Sequence, residues 1–258
     1  MGKGGTDVAR EAAGLVISDD NFATIVAGIE EGRIAYDNVR KVIFLLVSTG
    51  AAEMVLVTLA VATGSPLPLT AVQLLWLNLV TNGIQDVALA FEPGQGDELD
   101  RPPRPPDEAV FDRMMLQRIV LSALVMGIAS FTVFRCWLGM ASVATADSSA
   151  ADAATLAAAR NATLLVMVLF ENAHLANCRS ETRSAFALPL KRSPLLLAGT
   201  LTALFVHLLA MHWPPVQSLL DVAPVSGGEW LVLMAVAATI LPAIELHKAW
   251  CRRHGTRN

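Results

Sequence analysis

Charge is scarce in this 258-residue sequence. Asp, Glu, Lys and Arg make up 16% of it, against 54% hydrophobic residues, and mean hydropathy is +0.51. Soluble globular domains carry about 25% charged residues, so the shortage excludes an ordinary soluble enzyme and a disordered chain. An excess of positive charge is also lacking. The net charge is −4 and the pI about 5.7, which excludes a nucleic-acid partner. Cysteines are few: Cys136, Cys178 and Cys251 lie far apart, without a C-x-x-C pair or Cys/His ligand spacing. This excludes a disulfide framework and a zinc or soft-metal site, and the three read as small packing residues. No apolar stretch follows Met1, so no signal peptide is expected, and Gly2 with Thr6 fits a myristoylation pattern only superficially. P-loop, Ser/His/Asp and Gly-rich dinucleotide motifs are all missing.

What is present is apolar length. Six segments, roughly 40–63, 69–91, 115–140, 156–177, 194–213 and 229–250, are each long enough to span a bilayer as a helix. Helices are the expected form, because bare backbone groups are not tolerated in lipid. The turn at 64–68 is tight, so the first two spans form a hairpin. Residues 92–114 are charged and proline-rich, and Arg101-Pro-Pro-Arg-Pro-Pro106 reads as an extended, solvated linker. Of the 19 Lys and Arg residues, only Arg135 and Arg160 flank the 141–155 connection, which carries Asp147 and Asp152. The other 17 sit at the N-terminus, at 92–118, at 178–192 and around the C-terminus, where Arg257 lies. Positive residues mark the cytoplasmic side. The expectation is a multi-pass protein of the plasma membrane, in contact with lipid, with both termini cytoplasmic.

The first 39 residues differ from the rest. Thr6 suits an N-cap of a short helix through about Ala13. Gly14-Leu-Val-Ile-Ser18 reads as a short buried strand. Asp19, Asp20 or Asn21 suits the cap of a second helix with Phe22, Ile25, Val26, Ile29 and Ile34 at helical spacing. No proline separates that helix from the first span, so it is expected to run through Arg40 and Lys41 into the membrane. One helix and one strand make no core of their own, so residues 1–39 read as the edge of a larger α/β domain and residues 40–258 as a six-helix membrane domain.

Ionisable groups inside spans are costly and mark function. The first span holds Glu53, with Ser48 and Thr49 a turn before it. The second holds Asn78, Thr81, Asn82, Gln85 and Asp86, a polar stripe on one helical face, and Asn82-Gly83 is a place for the helix to loosen. The fourth holds Glu171, Asn172, His174 and Asn177. Carboxylate, amide, hydroxyl and carbonyl oxygens are the ligands of hard cations; calcium takes about 6–8 of them. Glu53, the 78–86 stripe and Glu171 are therefore expected to converge as a cation path. His174, His207 and His212 read as packing or interfacial residues. Glu245 and His247 fall near a helix end, where charged groups reach the interface, and Asn161-Ala-Thr163 lies at a span boundary, poorly placed for glycosylation.

These residues carry a resemblance. Met1-Gly-Lys-Gly-Gly-Thr-Asp-Val-Ala-Arg-Glu-Ala-Ala13, Val16-Ile-Ser-Asp-Asp-Asn-Phe22 and Ile29-Glu-Glu-Gly-Arg33 resemble the end of the phosphorylation domain of type-II P-type cation ATPases. Leu74-Leu-Trp-Leu-Asn-Leu-Val-Thr-Asn-Gly83 resembles their sixth membrane helix, and Asp100-Arg-Pro-Pro-Arg104 the loop after it. The resemblance covers essentially the whole chain. It implies an all-α membrane domain of six helices, the fifth to tenth of such a pump, preceded by an α/β stub. It also implies ATP-driven cation transport through an aspartyl-phosphate. The cation ligands it implies are Glu53, Asn78, Thr81, Asn82 and Glu171. Where the family has a fifth-helix asparagine this chain has Gly50, and where it has a sixth-helix aspartate this chain has Asn82; Asp86, one turn on, is a candidate to restore that charge. Calcium, sodium, potassium, proton and other divalent ions all stay open.

The family's Asp-Lys-Thr-Gly, Thr-Gly-Asp and Gly-Asp-Gly-Val-Asn-Asp motifs do not occur in these 258 residues. The expectation is a C-terminal transport domain, from a fragment or a split pump whose separate catalytic half supplies ATP and magnesium. A standalone six-helix channel, carrier or non-catalytic membrane subunit is the alternative, and a truncated gene without activity a further one.

Overall fold

The computed structural model describes residues 2–103, 105, 109–144, 149–180, 183–187 and 190–254. Arg104, Pro106, Asp147 and Arg257, named above, lie outside the described residues.

Thr6 caps helix α1 (Asp7–Ala12), its hydroxyl accepting from the Ala9 amide. The expected strand at 14–18 does not form, and no strand occurs among the described residues. Leu15 and Val16 are exposed there. A single extended segment has no ladder to join without neighbouring strands. Its backbone ties run to Ile17 O, from Gly2 N–H at 2.8 Å and from Asp20 N–H at 3.4 Å. A Cβ at Gly2 would stand 2.8 Å from that same oxygen, which is why glycine sits there. The α/β stub is thus corrected to a short helix and turns. The Asn21 side chain accepts from the Ala23 amide, and α2 (Ala23–Ala62) begins.

Helix α2 runs unbroken for 40 residues, about 60 Å at 1.5 Å per residue and twice the hydrocarbon thickness of a bilayer. Its end is a Schellman motif. Gly64, at φ +63°, allows Gly64 N–H to reach Val61 O and Ser65 N–H to reach Ala60 O. A capping box then starts α3 (Ala71–Leu75), with Thr70 and Gln73 each accepting from the other's amide. The helix widens to a π-turn over Trp76–Thr81 and returns to α-helix as α4 (Asn82–Ala90).

The remaining helices are α5 (Arg113–Ala144), α6 (Ser149–Cys178), α7 (Pro194–His212), α8 (Pro214–Leu220), α9 (Gly227–Ala238) and α10 (Ile240–His254). Asp112 caps α5 by accepting from Met115 N–H at 2.6 Å. Prolines stand at the first positions of α7 and α8, where no amide is missed. The predicted span 229–250 divides at Thr239, because Pro242 offers no amide and its ring crowds the carbonyl of Ala238 four residues back.

Among the described residues, five stretches are long and apolar enough to cross a membrane: Ala23–Ala62, Arg113–Gly139, Ala153–Cys178, Pro194–His212 and Gly227–Arg253. The chain is an all-α membrane protein. The expected sixth segment, 69–91, is not among the five, because the π-turn splits it into short pieces. Helix α6 is the central post, in contact with α2, α5, α7, α9, α10 and the π-turn. Its residues from Leu164 to Phe170 are all buried. Glycines let its neighbours approach each other: a Cβ on Gly127 of α5 would meet Val55 of α2 at 2.7 Å, and one on Gly199 would meet Ala88 at 2.7 Å.

In the Arg101–Pro106 run, Pro102, Pro103 and Pro105 are exposed, as a solvated linker would have them, and Arg104 and Pro106 lie outside the described residues. The described residues on either side of it dock on the stalk half of α2. Arg40 pairs with Asp112 at 2.6 Å and donates to Val110 O. Asn38 donates to Ala90 O and Glu92 O, Arg33 donates to Arg101 O, and Arg101 bridges Asp37 and Asp97. Glu92 is the knot of this end: its Oε1 accepts from Arg179 Nε at 3.0 Å and Ser193 Oγ at 2.8 Å, tying the ends of α4, α6 and α7. Lys248 reaches the carbonyls of Asn177 and Arg183. At the opposite end, the two outlying arginines clamp the hairpin turn: Arg135 donates to Ser65 Oγ and Arg160 to Leu67 O, both at 3.0 Å.

Both Glu92 and Arg179 are buried, and removing one partner of such a pair strands the other. Glu92→Ala is therefore expected to cost about 3–5 kcal/mol, read as a lower thermal midpoint of the purified protein. For Asp97 and Asp112, burial pushes the carboxyl up, yet hydrogen bonds and the nearby arginine charges outweigh it and hold both below their ordinary 3.8. A lowered folded-state value gives stability that is complete above the unfolded value and is lost as pH falls through the folded one. The 92–112 connection should stay docked down to about pH 4 and loosen below it; amide exchange of that segment as a function of pH measures this.

Candidate functional site

The π-turn positions the polar groups. A regular helix would set Asn78, Thr81, Asn82, Gln85 and Asp86 on one face. The widened turn divides them. Asn78 is exposed and faces α2, whereas Thr81, Asn82 and Gln85 are fully buried against neighbouring helices. The loosening anticipated at Asn82-Gly83 occurs one turn earlier.

Four contacts assemble the site. Asn78 Nδ2 donates to both Glu53 carboxylate oxygens at 2.9 Å and to the Leu74 carbonyl at 3.0 Å. The Thr81 hydroxyl lies 2.5 Å from Glu171 Oε2 and 2.8 Å from Leu77 O; with one proton it serves one acceptor at a time. Asn82 Nδ2 donates to Thr49 Oγ1 at 3.1 Å. Gln85 Nε2 donates to Asn172 Oδ1 at 3.2 Å. These contacts pair Glu53 with Asn78 between α2 and the π-turn, Thr81 with Glu171 between the π-turn and α6, and Asn82 with Thr49 between α4 and α2. Asp86 stands one turn beyond Asn82, and its buried Oδ1 has no hydrogen-bond partner.

Both ring nitrogens of His174, one turn from Glu171, have no hydrogen-bond partner, and the same holds for four acceptor oxygens. Asn82 Oδ1, Gln85 Oε1, Asp86 Oδ1 and Glu171 Oε1 are buried acceptors without a donor. Leaving several buried oxygens unpaired is costly, and these four suit a hard cation. Among the described residues no three His, Cys, Asp or Glu side chains gather at one point, so any ion held here draws on amides and hydroxyls as well as carboxylates. An open groove of about 340 Å³ lies beside Glu53, lined by Gly50, Met54, Val57, Thr58 and Leu74. A Cβ on Gly50 would meet nothing within 4 Å, so this face of α2 has room beside Glu53.

Sequence reading placed His174 as a packing residue, and it is fully buried with its ring 5.0 Å from that of Phe44 in an edge-on contact. His207, read in the same way, is also fully buried; what the sequence did not give is its contact, Nδ1 accepting from the Trp76 indole at 3.2 Å. The available signal was one buried polar group in the otherwise apolar core face of α7. The Gln85–Asn172 contact was also missed, since spacing along two separate helices does not say which residues meet.

The fold and site define a class: an integral membrane protein of packed helices with an oxygen-rich polar centre between them. Residues 66–250 match the family described as cation transporting ATPase, C-terminus, and the chain belongs to it. It is 34% identical over 238 residues to a calcium-transporting ATPase of Bacillus subtilis, covering 92% of this chain and 25% of that protein. It is 33% identical over 240 residues to a probable cation-transporting ATPase F of Mycobacterium bovis (93% and 25%). It is 31% identical over 250 residues to the mouse calcium-transporting ATPase type 2C member 2 (97% and 25%). The chain spans about a quarter of the length of these relatives.

Thr81→Val keeps the shape and removes the hydroxyl from Glu171. It is expected to destabilise the fold by about 1–3 kcal/mol, the cost of an unpaired buried acceptor, measured by thermal unfolding in lipid nanodiscs. A wild-type midpoint in the variant would show that Glu171 does not depend on this contact.

Proposed function

We propose that this chain is the cation-carrying membrane domain of an ATP-driven P-type pump, and that Glu53, Asn78, Thr81, Asn82 and Glu171 hold the ion. Asp86 supplies, from one turn away, the negative charge that Asn82 lacks. The observation that carries the proposal is that the π-turn supplies both Asn78, paired with Glu53, and Thr81, paired with Glu171, with unpartnered buried oxygens on Asn82, Gln85, Asp86 and Glu171. π-Turns inside α-helices recur at functional sites. The calcium-transporting relatives make calcium the first ion to test.

In this reading, residues 1–39 belong with a phosphorylation domain and residues 40–258 form the transport domain with six spans, counting 71–90 as one interrupted span. Its other five spans are the long apolar stretches. The exposed apolar side chains of Leu15, Phe22, Val26 and Ile29 support a further domain packed against this end. ATP and magnesium enter through such catalytic domains, on the same polypeptide or a separate half. Helix α2 joins that end to Glu53 as one rod, the kind of rigid element that carries a domain motion into a binding site. The basic connections and the stalk face the cytoplasm, with the protein in the plasma membrane.

Equilibrium binding of radioactive calcium and manganese to the purified chain in lipid nanodiscs tests this. Saturable binding is expected, weakened more than about tenfold, or about 1.4 kcal/mol, by Glu171→Gln and by Asp86→Asn. No saturable binding of any cation would contradict the proposal, and unchanged binding in Asp86→Asn would remove Asp86 from the site.

A further inference from the structure

The π-turn needs something to hold it. An α-helix relieves a π-turn by drawing the extra residue back into register, which rotates everything beyond it by roughly 100°, one residue's share of a 3.6-residue turn. In this chain such a rotation would carry Thr81, Asn82 and Gln85 off the faces where they meet Glu171, Thr49 and Asn172.

The first residue of the turn is Trp76, and its indole N–H donates to His207 Nδ1 on α7 at 3.2 Å. His207 is fully buried, and its second nitrogen, Nε2, has no partner. A ring accepting at Nδ1 is neutral and carries its proton on Nε2. Helix α7 is otherwise apolar on its buried face, with Leu196, Ala203, Ala210 and Met211. A half-satisfied histidine in such surroundings is expensive and calls for a function. The contact it makes is with the turn that carries Asn78 and Thr81, and it touches none of the ion-binding side chains themselves.

We infer that His207 is a positioning residue for cation binding: by accepting the Trp76 indole N–H it pins the π-turn and so fixes where Asn78 and Thr81 present their oxygens. The inference rests on the cation site proposed above. It assigns a role to a helix, α7, that supplies no ligand.

The test uses the purified chain in lipid nanodiscs, with calcium and manganese as the ions and two independent readouts. In binding, His207→Leu and Trp76→Phe are each expected to weaken affinity about tenfold. The double variant should bind no more weakly than either single, because both remove the same bond. His207→Gln, whose amide oxygen is an acceptor, should stay within about twofold of wild type. Wild-type affinity in His207→Leu, a Gln variant as weak as Leu, or losses that multiply in the double variant would overturn the inference. The ion-independent readout is the indole N–H band in ultraviolet resonance Raman spectra. It is expected to shift towards a free N–H in His207→Leu and to hold in His207→Gln; an unshifted band in the Leu variant would overturn the inference whatever the ions do. Loss of binding in the wild type with the band shift intact would instead overturn the cation site and leave the Trp76–His207 link standing. Trp76→Phe keeps an aromatic ring in place, so the inference can be judged even where His207→Leu fails to fold.

Discussion

A helix that widens by one residue inside an apolar environment cannot hand its loosened backbone groups to water. In this protein the widening lies at Trp76–Thr81, and the protein's own side chains answer it. Asn78 takes the Leu74 carbonyl, Thr81 sits over the Leu77 carbonyl, and the Trp76 indole goes to His207. The same side chains then meet Glu53 and Glu171. The backbone irregularity and the polar site are one feature, because hydrocarbon surroundings make each unsatisfied group costly and force every polar atom to find its partner nearby.

The rest of the fold keeps that feature in place from both ends. At the hairpin end, the Schellman motif and the Thr70–Gln73 box fix the return from α2, with Arg135 and Arg160 laid across the turn. At the other end, Glu92, Arg179 and Ser193 bind the exits of α4 and α6 to the start of α7. The charged connection lies along α2 through Arg40, Arg101 and Asn38. Between these clamps α6 supplies Glu171 and Asn172 from the most buried helix of the chain. The long rod of α2 therefore meets the polar site at Glu53 and the docked connection at its stalk, so a displacement of the stalk has a direct mechanical path to Glu53.

Much of this was legible in the residues. Apolar runs marked the membrane helices. The absence of proline from Ala23 to Ala62 marked a continuous stalk, Thr6 marked the cap of the short helix α1 before it, and Pro242 accounts for the division at Thr239. Glu53, Asn78, Thr81, Asn82 and Glu171 stood out as costly groups in apolar surroundings, and the structure pairs Glu53 with Asn78, Thr81 with Glu171 and Asn82 with Thr49. Other features depend on partners distant in sequence. Gly14–Ser18 has the composition of a strand, but a strand exists only with neighbours to pair with. The choice between α and π at Trp76 is made by His207 on another helix, 131 positions away, so no local pattern announces it. Arg101 and Asp112 belong to a stretch with the composition of a solvated linker; that they reach α2 follows from Asp37 and Arg40 on the stalk, which pair with them.

The central claim is that the π-turn gathers oxygens from α2, α4 and α6 around a hard cation. The most direct measurement is an anomalous difference map from crystals of the protein soaked with manganese. The account predicts a peak within bonding distance of Glu53 or Glu171 and of the Asn78 and Thr81 side chains, with Trp76–Thr81 still a π-turn. A peak only at surface carboxylates, or a site cleft that stays empty while Trp76–Thr81 becomes a regular α-helix, would contradict it.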